Sequence, residues 1–204
     1  MKKGILVFVS LFFVACTSSV DPSLYNGVLP DDAHIKGNKY AQVTITAYEN
    51  FVCSACLIWQ KTIFAPLLEE MGSEVAFAFV HYPFGLHGFS DAEVMKFHVG
   101  SECAADQNKF WEFHDAIFAH QEDEDFGPDK LEAYAAEVSL DTAAFNTCVF
   151  EGRHEDQIRE HLNRAKALRI SSTPTVFVND KKFEIDDSGV SAIDQIKKAI
   201  AEAR

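Results

Sequence analysis

The sequence has few basic residues. Its 204 residues include 18 Lys and Arg against 31 Asp and Glu, a formal net charge of -13 at pH 7. This charge repels phosphate backbones and anionic lipid headgroups, which argues against nucleic acid as a partner and against electrostatic docking to a membrane. Hydrophobic residues make up 48% of the chain and charged residues 24%. This composition excludes disorder except at the ends and fits one sizeable domain, or a compact domain with an insertion.

A long hydrophobic run is also missing, although a short one lies near the N-terminus. Residues 5–15 are apolar except for Ser10 and follow the positive pair Lys2 and Lys3. The run is too short to span a bilayer comfortably, and the pattern predicts an export signal over residues 1–15. The sequence around Cys16 resembles the lipobox of bacterial lipoproteins, which predicts lipidation at Cys16. Ordinary cleavage nearby, with Cys16 lost or left free, is the alternative.

The segment after the signal is polar and rich in turn-forming residues. Residues 16–36 contain Pro22, Pro30 and two adjacent aspartates, and we interpret them as a tether before the fold. Export predicts a location in the bacterial cell envelope, on the periplasmic side, with a lipid anchor at Cys16.

The sequence also lacks the ligand spacing that is typical of a closed, structural zinc site. Apart from Cys16, the chain has four cysteines: Cys53, Cys56, Cys103 and Cys148. Outside the cytoplasm each of them is a candidate for a disulfide, and four cysteines can pair in three ways. The first two form a Cys-X-X-Cys motif, which serves either as half of a zinc site or as a redox dithiol. No second Cys-X-X-Cys and no closely spaced histidine pair follows to complete a structural zinc site.

The eight histidines are scattered along the chain. His154 and His161 lie seven residues apart on what the pattern predicts to be an exposed helix, where solvation or local packing is expected. His81 and His87 lie just after the second predicted strand, and packing in the core or at the surface is favoured over a role beside the dithiol. We therefore predict no metal site and no cofactor.

The pattern around Cys-X-X-Cys favours redox chemistry. Residues 43–48 are a β-branched run typical of a buried strand, and helical spacing of apolar residues begins just after Cys53. The dithiol therefore opens a helix, whose unpaired N–H groups and dipole favour a thiolate. We predict that Cys53 has a depressed pKa and attacks, while the shielded Cys56 resolves the mixed disulfide. Pro66 predicts a kink in this helix or its division into two.

The remaining periodicity places the dithiol in an α/β frame. A second buried strand completes a βαβ unit with a right-handed crossover, and two further strands and an amphipathic helix end the chain. Between Phe84 and Ile170 the periodicity is helical throughout. We therefore divide the fold into one domain made of residues 37–84 and 171–204, and a helical insertion of residues 85–170.

Thr173 and Pro174 precede the third strand. A proline that opens a strand cannot donate to the sheet, and a cis bond here would leave the backbone of Thr173 open for pairing with an extended chain. A trans proline that simply begins a strand is the alternative.

Several of these motifs occur together in one known family. The segments are Phe51-Val52-Cys53-Ser54-Ala55-Cys56, Glu102-Cys103-Ala104, Lys109-Phe110-Trp111-Glu112-Phe113-His114-Asp115 and Ser172-Thr173-Pro174-Thr175-Val176-Phe177-Val178-Asn179. With the export signal they resemble the DsbA-type thiol:disulfide oxidoreductase family over about residues 37–203. The resemblance implies a thioredoxin-like fold with an inserted α-helical domain. It also implies a nucleophilic Cys53, a resolving Cys56, and a substrate-binding Thr173 with a cis Pro174 beside the dithiol.

The chain departs from this family at several positions. Family members often carry Pro-Tyr or Pro-His between the cysteines, where this chain has Ser54 and Ala55. The lack of a histidine there predicts a less depressed Cys53 pKa and a weaker oxidant. The family often has a glutamate six residues before the first cysteine, where this chain has Ala47. Glu49 keeps the same strand parity and is the candidate proton relay, with a solvated turn carboxylate as the alternative.

The resemblance also bears on the two cysteines of the insertion. Some similar proteins hold a second disulfide there, which implies a structural bridge between Cys103 and Cys148; two buried free thiols are the alternative.

These observations predict a thiol:disulfide oxidoreductase that introduces disulfides into exported proteins by exchange at Cys53 and Cys56. Its partners would be unfolded or reduced exported proteins and a membrane or soluble redox partner that resets the dithiol. One alternative is a disulfide reductase or isomerase of the same fold. Another is a non-catalytic, metal-binding or adaptor lipoprotein that uses the two sulfurs as soft ligands.

Overall fold

A computed structural model describes residues 27–204. The predicted signal peptide of residues 1–15, the predicted lipidation site Cys16 and the first part of the tether lie outside the described residues. The strands are β1 (His34–Gly37), β2 (Val43–Glu49), β3 (Val75–His81), β4 (Thr175–Val178) and β5 (Lys181–Phe183). The helices are α1 (Ser54–Trp59), α2 (Ala65–Met71), α3 (Asp91–Ala105), α4 (Phe110–His120), α5 (Leu131–Glu137), α6 (Thr142–Glu151), α7 (Glu155–Ala167) and α8 (Ala192–Glu202).

The strands form one five-stranded sheet in the order β1-β3-β2-β4-β5. Only β2 and β3 are parallel, and all other neighbours are antiparallel. Every residue of β3 and all but one residue of β2 are buried. Parallel strands covered on both faces have such near-continuous apolar sequences, which is why these two strands were predictable from the sequence.

The edge strand β1 begins inside the predicted tether. Residues 34–36 pair antiparallel with β3, with His34 opposite Phe79. The chain already contacts the sheet domain before β1, because Tyr48 Oη donates a hydrogen bond of 2.6 Å to the carbonyl of Val28. The tether prediction was therefore wrong for the last residues of 16–36. A four-residue edge strand that is only partly buried shows little hydrophobic alternation, so its sequence resembles a loop.

A single helical run leads away from the dithiol. The π-helical segment Gln60–Phe64 joins α1 to α2 without a break, and Pro66 lies in the first turn of α2. Proline lacks the N–H that would donate to the carbonyl four residues earlier, so a wider turn just before it accommodates the missing bond. The structure therefore favours one irregular helix over two separate ones.

Helices α3 to α7 all lie within the predicted insertion of residues 85–170. Their shared core is continuous with Phe51, Cys56 and Phe79 of the sheet domain. Helix α7 buries Ile158, His161 and Ala165, so the expectation of an exposed helix was wrong for His161. None of the helices in residues 27–204 is both long and apolar enough to cross a membrane.

Candidate active site

Cys53 lies at the N-cap of α1, immediately after the turn that ends β2. The side chain of Asn50 makes this turn: its Oδ1 accepts from the N–H of Val52 at 3.2 Å, and its Nδ2 donates to the carbonyl of Phe84 at 2.9 Å. The backbone of Cys53 is extended, and Ser54 is the first helical residue. The sulfur of Cys53 therefore faces the unpaired N–H groups at the start of the helix.

The environment of Cys53 favours its thiolate. A hydrogen bond from the Cys56 thiol is the largest effect that lowers the pKa of Cys53, to about 5, and the backbone N–H groups of Ala55 and Cys56 act in the same direction against partial burial. Cys56 lies one helical turn further on and is fully buried. Burial raises the pKa of Cys56 well above its ordinary value. The structure holds both as free thiols, of which Cys53 ionises first.

Glu49 lies at the end of β2, against the dithiol. Its side chain is buried, and Gln60 Nε2 donates to both carboxylate oxygens at 2.9 Å. The pKa of Glu49 is raised to about 8, mainly by burial, and the negative charge of Cys53 acts in the same direction. The same carboxyl group is close enough to raise the pKa of Cys56. The alternative of a solvated turn carboxylate was therefore wrong.

The loop before β4 completes the site. The peptide bond between Thr173 and Pro174 is cis. Cys53 Sγ lies 3.4 Å from the carbonyl oxygen of Thr173, within hydrogen-bond reach. The structure thus brings together Cys53, Cys56, Thr173 and Pro174 from two separate segments of the chain, with Glu49 buried nearby.

An apolar groove of about 370 Å³ adjoins the dithiol, and Leu57, Ile58 and Phe89 are among its lining residues. Ile58 is 61% exposed, so the groove presents apolar surface to solvent on the helix that begins just after Cys53. His87 Nε2 lies 3.5 Å from Ser54 Oγ, at the rim of this groove rather than in the core. A larger depression of about 980 Å³ lies between β5 and α8, and no dithiol residue lines it.

Two glutamines support the site without having been predicted from the sequence. Gln60 holds Glu49, and Gln121 Nε2 donates to the carbonyls of Phe51 and Cys53 at 2.6 and 3.3 Å. Gln121 follows α4, about seventy residues from the dithiol, so only the folded arrangement reveals its role. A glutamine in isolation carries no sequence signal that would have identified either residue.

The other two cysteines lie in the helical insertion. Cys103 of α3 and Cys148 of α6 are joined with an S–S distance of 1.96 Å, and both are buried. Their sulfurs take no part in the Cys53–Cys56 arrangement. Cys16 lies outside the described residues.

A family model described as thioredoxin matches residues 30–202. Among curated proteins, the Na(+)/H(+) antiporter NhaA 3 of Salinispora tropica is 29% identical over 154 residues, which is 75% of this chain and 22% of that protein. The Na(+)/H(+) antiporter NhaA 1 of Salinispora arenicola is 30% identical over 154 residues with the same shares. The chain therefore spans about a fifth of the length of these curated relatives.

Solved structures share the architecture. Oxidised BdbD from Bacillus subtilis has a TM-score of 0.70 at 23% identity and covers 83% of this chain and 91% of its own. Alpha-DsbA1 from Wolbachia pipientis has a TM-score of 0.68 at 22% identity, covering 89% and 94%. The reduced form of DsbG from Mycobacterium tuberculosis has a TM-score of 0.67 at 21% identity, covering 86% and 89%.

These likenesses confirm the predicted fold, a thioredoxin-like sheet domain with an inserted helical domain. Because the family model extends from before β1 to the end of α8, around a Cys-X-X-Cys motif at a helix start, the chain belongs to the thioredoxin family and has the DsbA-like form of its fold.

Proposed function

We propose that the chain is a thiol:disulfide oxidoreductase that introduces disulfides into exported proteins through Cys53 and Cys56. The observation that carries this proposal is the opposite perturbation of two thiols three residues apart. The pKa of Cys53 is lowered to about 5, whereas burial raises the pKa of Cys56. One sulfur is thus prepared to attack and to leave as a thiolate, and the other to keep its proton.

The oxidative cycle starts from the Cys53–Cys56 disulfide. A substrate thiolate attacks Cys53 Sγ, the intramolecular S–S bond breaks, and Cys56 leaves with the electron pair. A second substrate thiolate then attacks the substrate sulfur of the mixed disulfide, and Cys53 leaves as a thiolate. The substrate loses two electrons and forms a disulfide, and the dithiol gains them. A redox partner must remove those electrons before the next cycle.

Glu49 is the proposed proton relay for this cycle. Cys56 leaves as a buried thiolate, and the high pKa of its thiol means that it takes up a proton at once. The pKa of Glu49, about 8, lets this carboxyl group donate a proton near neutral pH and recover it when the dithiol is reoxidised. Gln60 holds the carboxyl group in place for this transfer.

Thr173 and Pro174 are the proposed substrate-binding residues. Pro174 has no backbone N–H that would need a hydrogen-bond partner. The carbonyl of Thr173 lies next to Cys53 Sγ. An extended substrate strand that pairs with this backbone would bring its own sulfur to Cys53. The exposed Ile58 in the adjoining groove offers apolar contact to an unfolded chain.

Oxidation is favoured over reduction because Cys53 is a good leaving group. In Cys-X-X-Cys proteins the nucleophile's pKa runs from roughly 3.5 in strong oxidants to roughly 7 in reductants. The pKa of Cys53, about 5, lies between these limits, in line with the weaker oxidant that the absence of a histidine between the cysteines predicts. A periplasmic location and lipid anchoring at Cys16 belong to the same proposal.

The test uses the full chain, a reduced dithiol peptide and glutathione disulfide as terminal oxidant. Rapid peptide oxidation is expected for the unmodified chain, none for Cys53→Ser, and a trapped mixed disulfide for Cys56→Ser. A Cys53/Cys56 potential near roughly -270 mV against glutathione would instead identify a reductase. Stoichiometric copper after purification without peptide oxidation would favour the metal-binding adaptor.

A further inference from the structure

A second cluster of ionisable side chains lies where β1, β3 and α3 meet. His34 Nε2 and His81 Nε2 lie 2.8 and 2.5 Å from the same oxygen, Oε1 of Glu102. These three atoms all lie within 4.8 Å of one another. The thiol:disulfide exchange described above uses none of these residues.

We propose that His34, His81 and Glu102 form a binding site for a divalent first-row metal ion, with zinc as the favoured ion. Two imidazole nitrogens and one carboxylate oxygen are a donor set that zinc uses in sites with an open fourth position. The His81 side chain is fully buried and that of Glu102 is 4% exposed, but the His34 side chain is 21% exposed. His34 therefore provides both a ligand and a route of entry from solvent.

The distances leave little rearrangement to be made. Zinc bonds of about 2.0–2.2 Å in a tetrahedral arrangement separate neighbouring ligand atoms by roughly 3.3–3.5 Å. The two nitrogen–oxygen distances to Glu102, 2.8 and 2.5 Å, must therefore open by less than about 1 Å. His34 lies on the edge strand, where a side chain can shift by this amount more readily than in the centre of the sheet.

The surrounding groups already orient the ligands. Without an ion each Nε2 donates to Glu102. Metal binding moves the ring proton to Nδ1, and for His81 the facing Nδ1 of His98, 2.8 Å away, can accept it. Gln157 Nε2 donates to the other oxygen of Glu102 at 3.4 Å, which leaves Oε1 for the ion. Such contacts behind the ligands fix ring orientation and contribute to metal affinity.

The ring of His34 is also held in position. It stacks on Phe110 with ring centroids 3.5 Å apart and planes 14° from parallel. Both imidazole rings converge on one oxygen of the Glu102 carboxylate, so this carboxylate lies where it can share an ion with them. Without an ion, the same groups form a hydrogen-bonded tie between β1, β3 and α3.

The sequence alone does not predict this metal site because its ligands are separated by 47 and 21 residues along the chain and form no motif. They meet only because β1 pairs with β3 and α3 packs against that edge.

The experiment is zinc titration by calorimetry into the full chain carrying Cys53→Ser and Cys56→Ser, so that the dithiol cannot chelate. One zinc ion per chain is expected. His34→Gln in the same background is expected to weaken affinity by at least about tenfold, since even residues behind the ligands contribute that much. His120→Gln is the matched control, because His120 contacts two carboxylates but lies outside the cluster, and it is expected to bind zinc unchanged. Cobalt(II) should show the intense visible absorption of a tetrahedral site, lost in His34→Gln.

A second measurement keeps the test decisive if His34→Gln is destabilised. Zinc is expected to raise the Tm of the parent and of His120→Gln, and to raise the Tm of His34→Gln and Glu102→Gln clearly less. Absence of saturable zinc binding in the parent would overturn the proposal. Equal zinc affinity in the parent and in His34→Gln would overturn it as well, and would leave the cluster a hydrogen-bonded tie.

Discussion

The interaction that most lowers the Cys53 pKa can be removed by changing one atom. Cys56 provides this hydrogen bond, and Cys56→Ala eliminates it while filling most of the same space. A hydrogen bond to a charged group contributes roughly 1.5–3 kcal/mol, and one pKa unit corresponds to about 1.36 kcal/mol. We therefore expect the pKa of Cys53 to rise from about 5 by about one to two units.

Cys56→Ser is the matched control for this experiment. Its hydroxyl keeps a donor at the same position, so the Cys53 pKa should stay closer to that of the unmodified chain. The assay is the pH dependence of thiolate absorbance, or of the alkylation rate, in the reduced protein. The reasoning is refuted if the alanine and serine variants titrate together, because the Cys56 donor would then have no part in the shift.

The same thiolate sets how the redox potential depends on pH. A depressed thiol pKa stabilises the reduced protein fully above the ordinary thiol pKa, and this stabilisation is lost as pH falls through about 5. At pH 7, two units above the Cys53 pKa, it amounts to about 2 kcal/mol after allowance for solvent near the sulfur, or about 45 mV. The potential should therefore fall by about 59 mV per pH unit below pH 5 and by about 30 mV above it. A change of slope only near pH 9 would contradict this.

Two further predictions concern stability. Because the folded chain keeps a proton on Glu49 that the unfolded chain loses, its stability falls between pH 4.5 and about 8. Glu49→Gln should remove this fall. Measured by urea unfolding, the free energy of unfolding of the variant relative to the unmodified chain should be higher at pH 8 than at pH 4.5 by on the order of 3 kcal/mol. An equal difference between the two proteins at both pH values would exclude a buried carboxyl group with a raised pKa. The disulfide between Cys103 and Cys148 closes a loop of 45 residues. Replacing both with alanine should lower the free energy of unfolding by roughly 3–4 kcal/mol while peptide oxidation per folded molecule persists, and a loss below about 1 kcal/mol would contradict the loop-closure argument.

The features that the sequence predicted depend on short stretches of chain. The strand before Cys53 and the helix after it lie within about thirty residues, and their periodicities are visible without tertiary information. The edge strand β1 escaped prediction because its four residues are only partly buried. Because side chains alternate along a strand, the sequence indicated that Glu49 shares a strand face with Ala47, where the family often has a glutamate. Its burial depends on Gln60 and the packing around it, which no local pattern shows.

The histidines show the same limit more sharply. His81, His98 and His161 are all buried, and their contacts join β3, α3 and α7 across 80 residues of chain. Each ring obtains its partner from an element distant in sequence, so spacing along the chain carries no information about it. Scattered histidines therefore told little about whether these side chains were solvated.

The helical insertion contributes to the buried surroundings of the dithiol. Cys53 and Cys56 belong to the same buried cluster as Phe118 of α4 and Phe97 of α3. Because burial is the largest effect that raises the pKa of Cys56, the insertion residues that share this buried cluster contribute to keeping it protonated while Cys53 ionises. The difference between the cysteines is therefore produced jointly by the start of α1 and by the insertion packed over it.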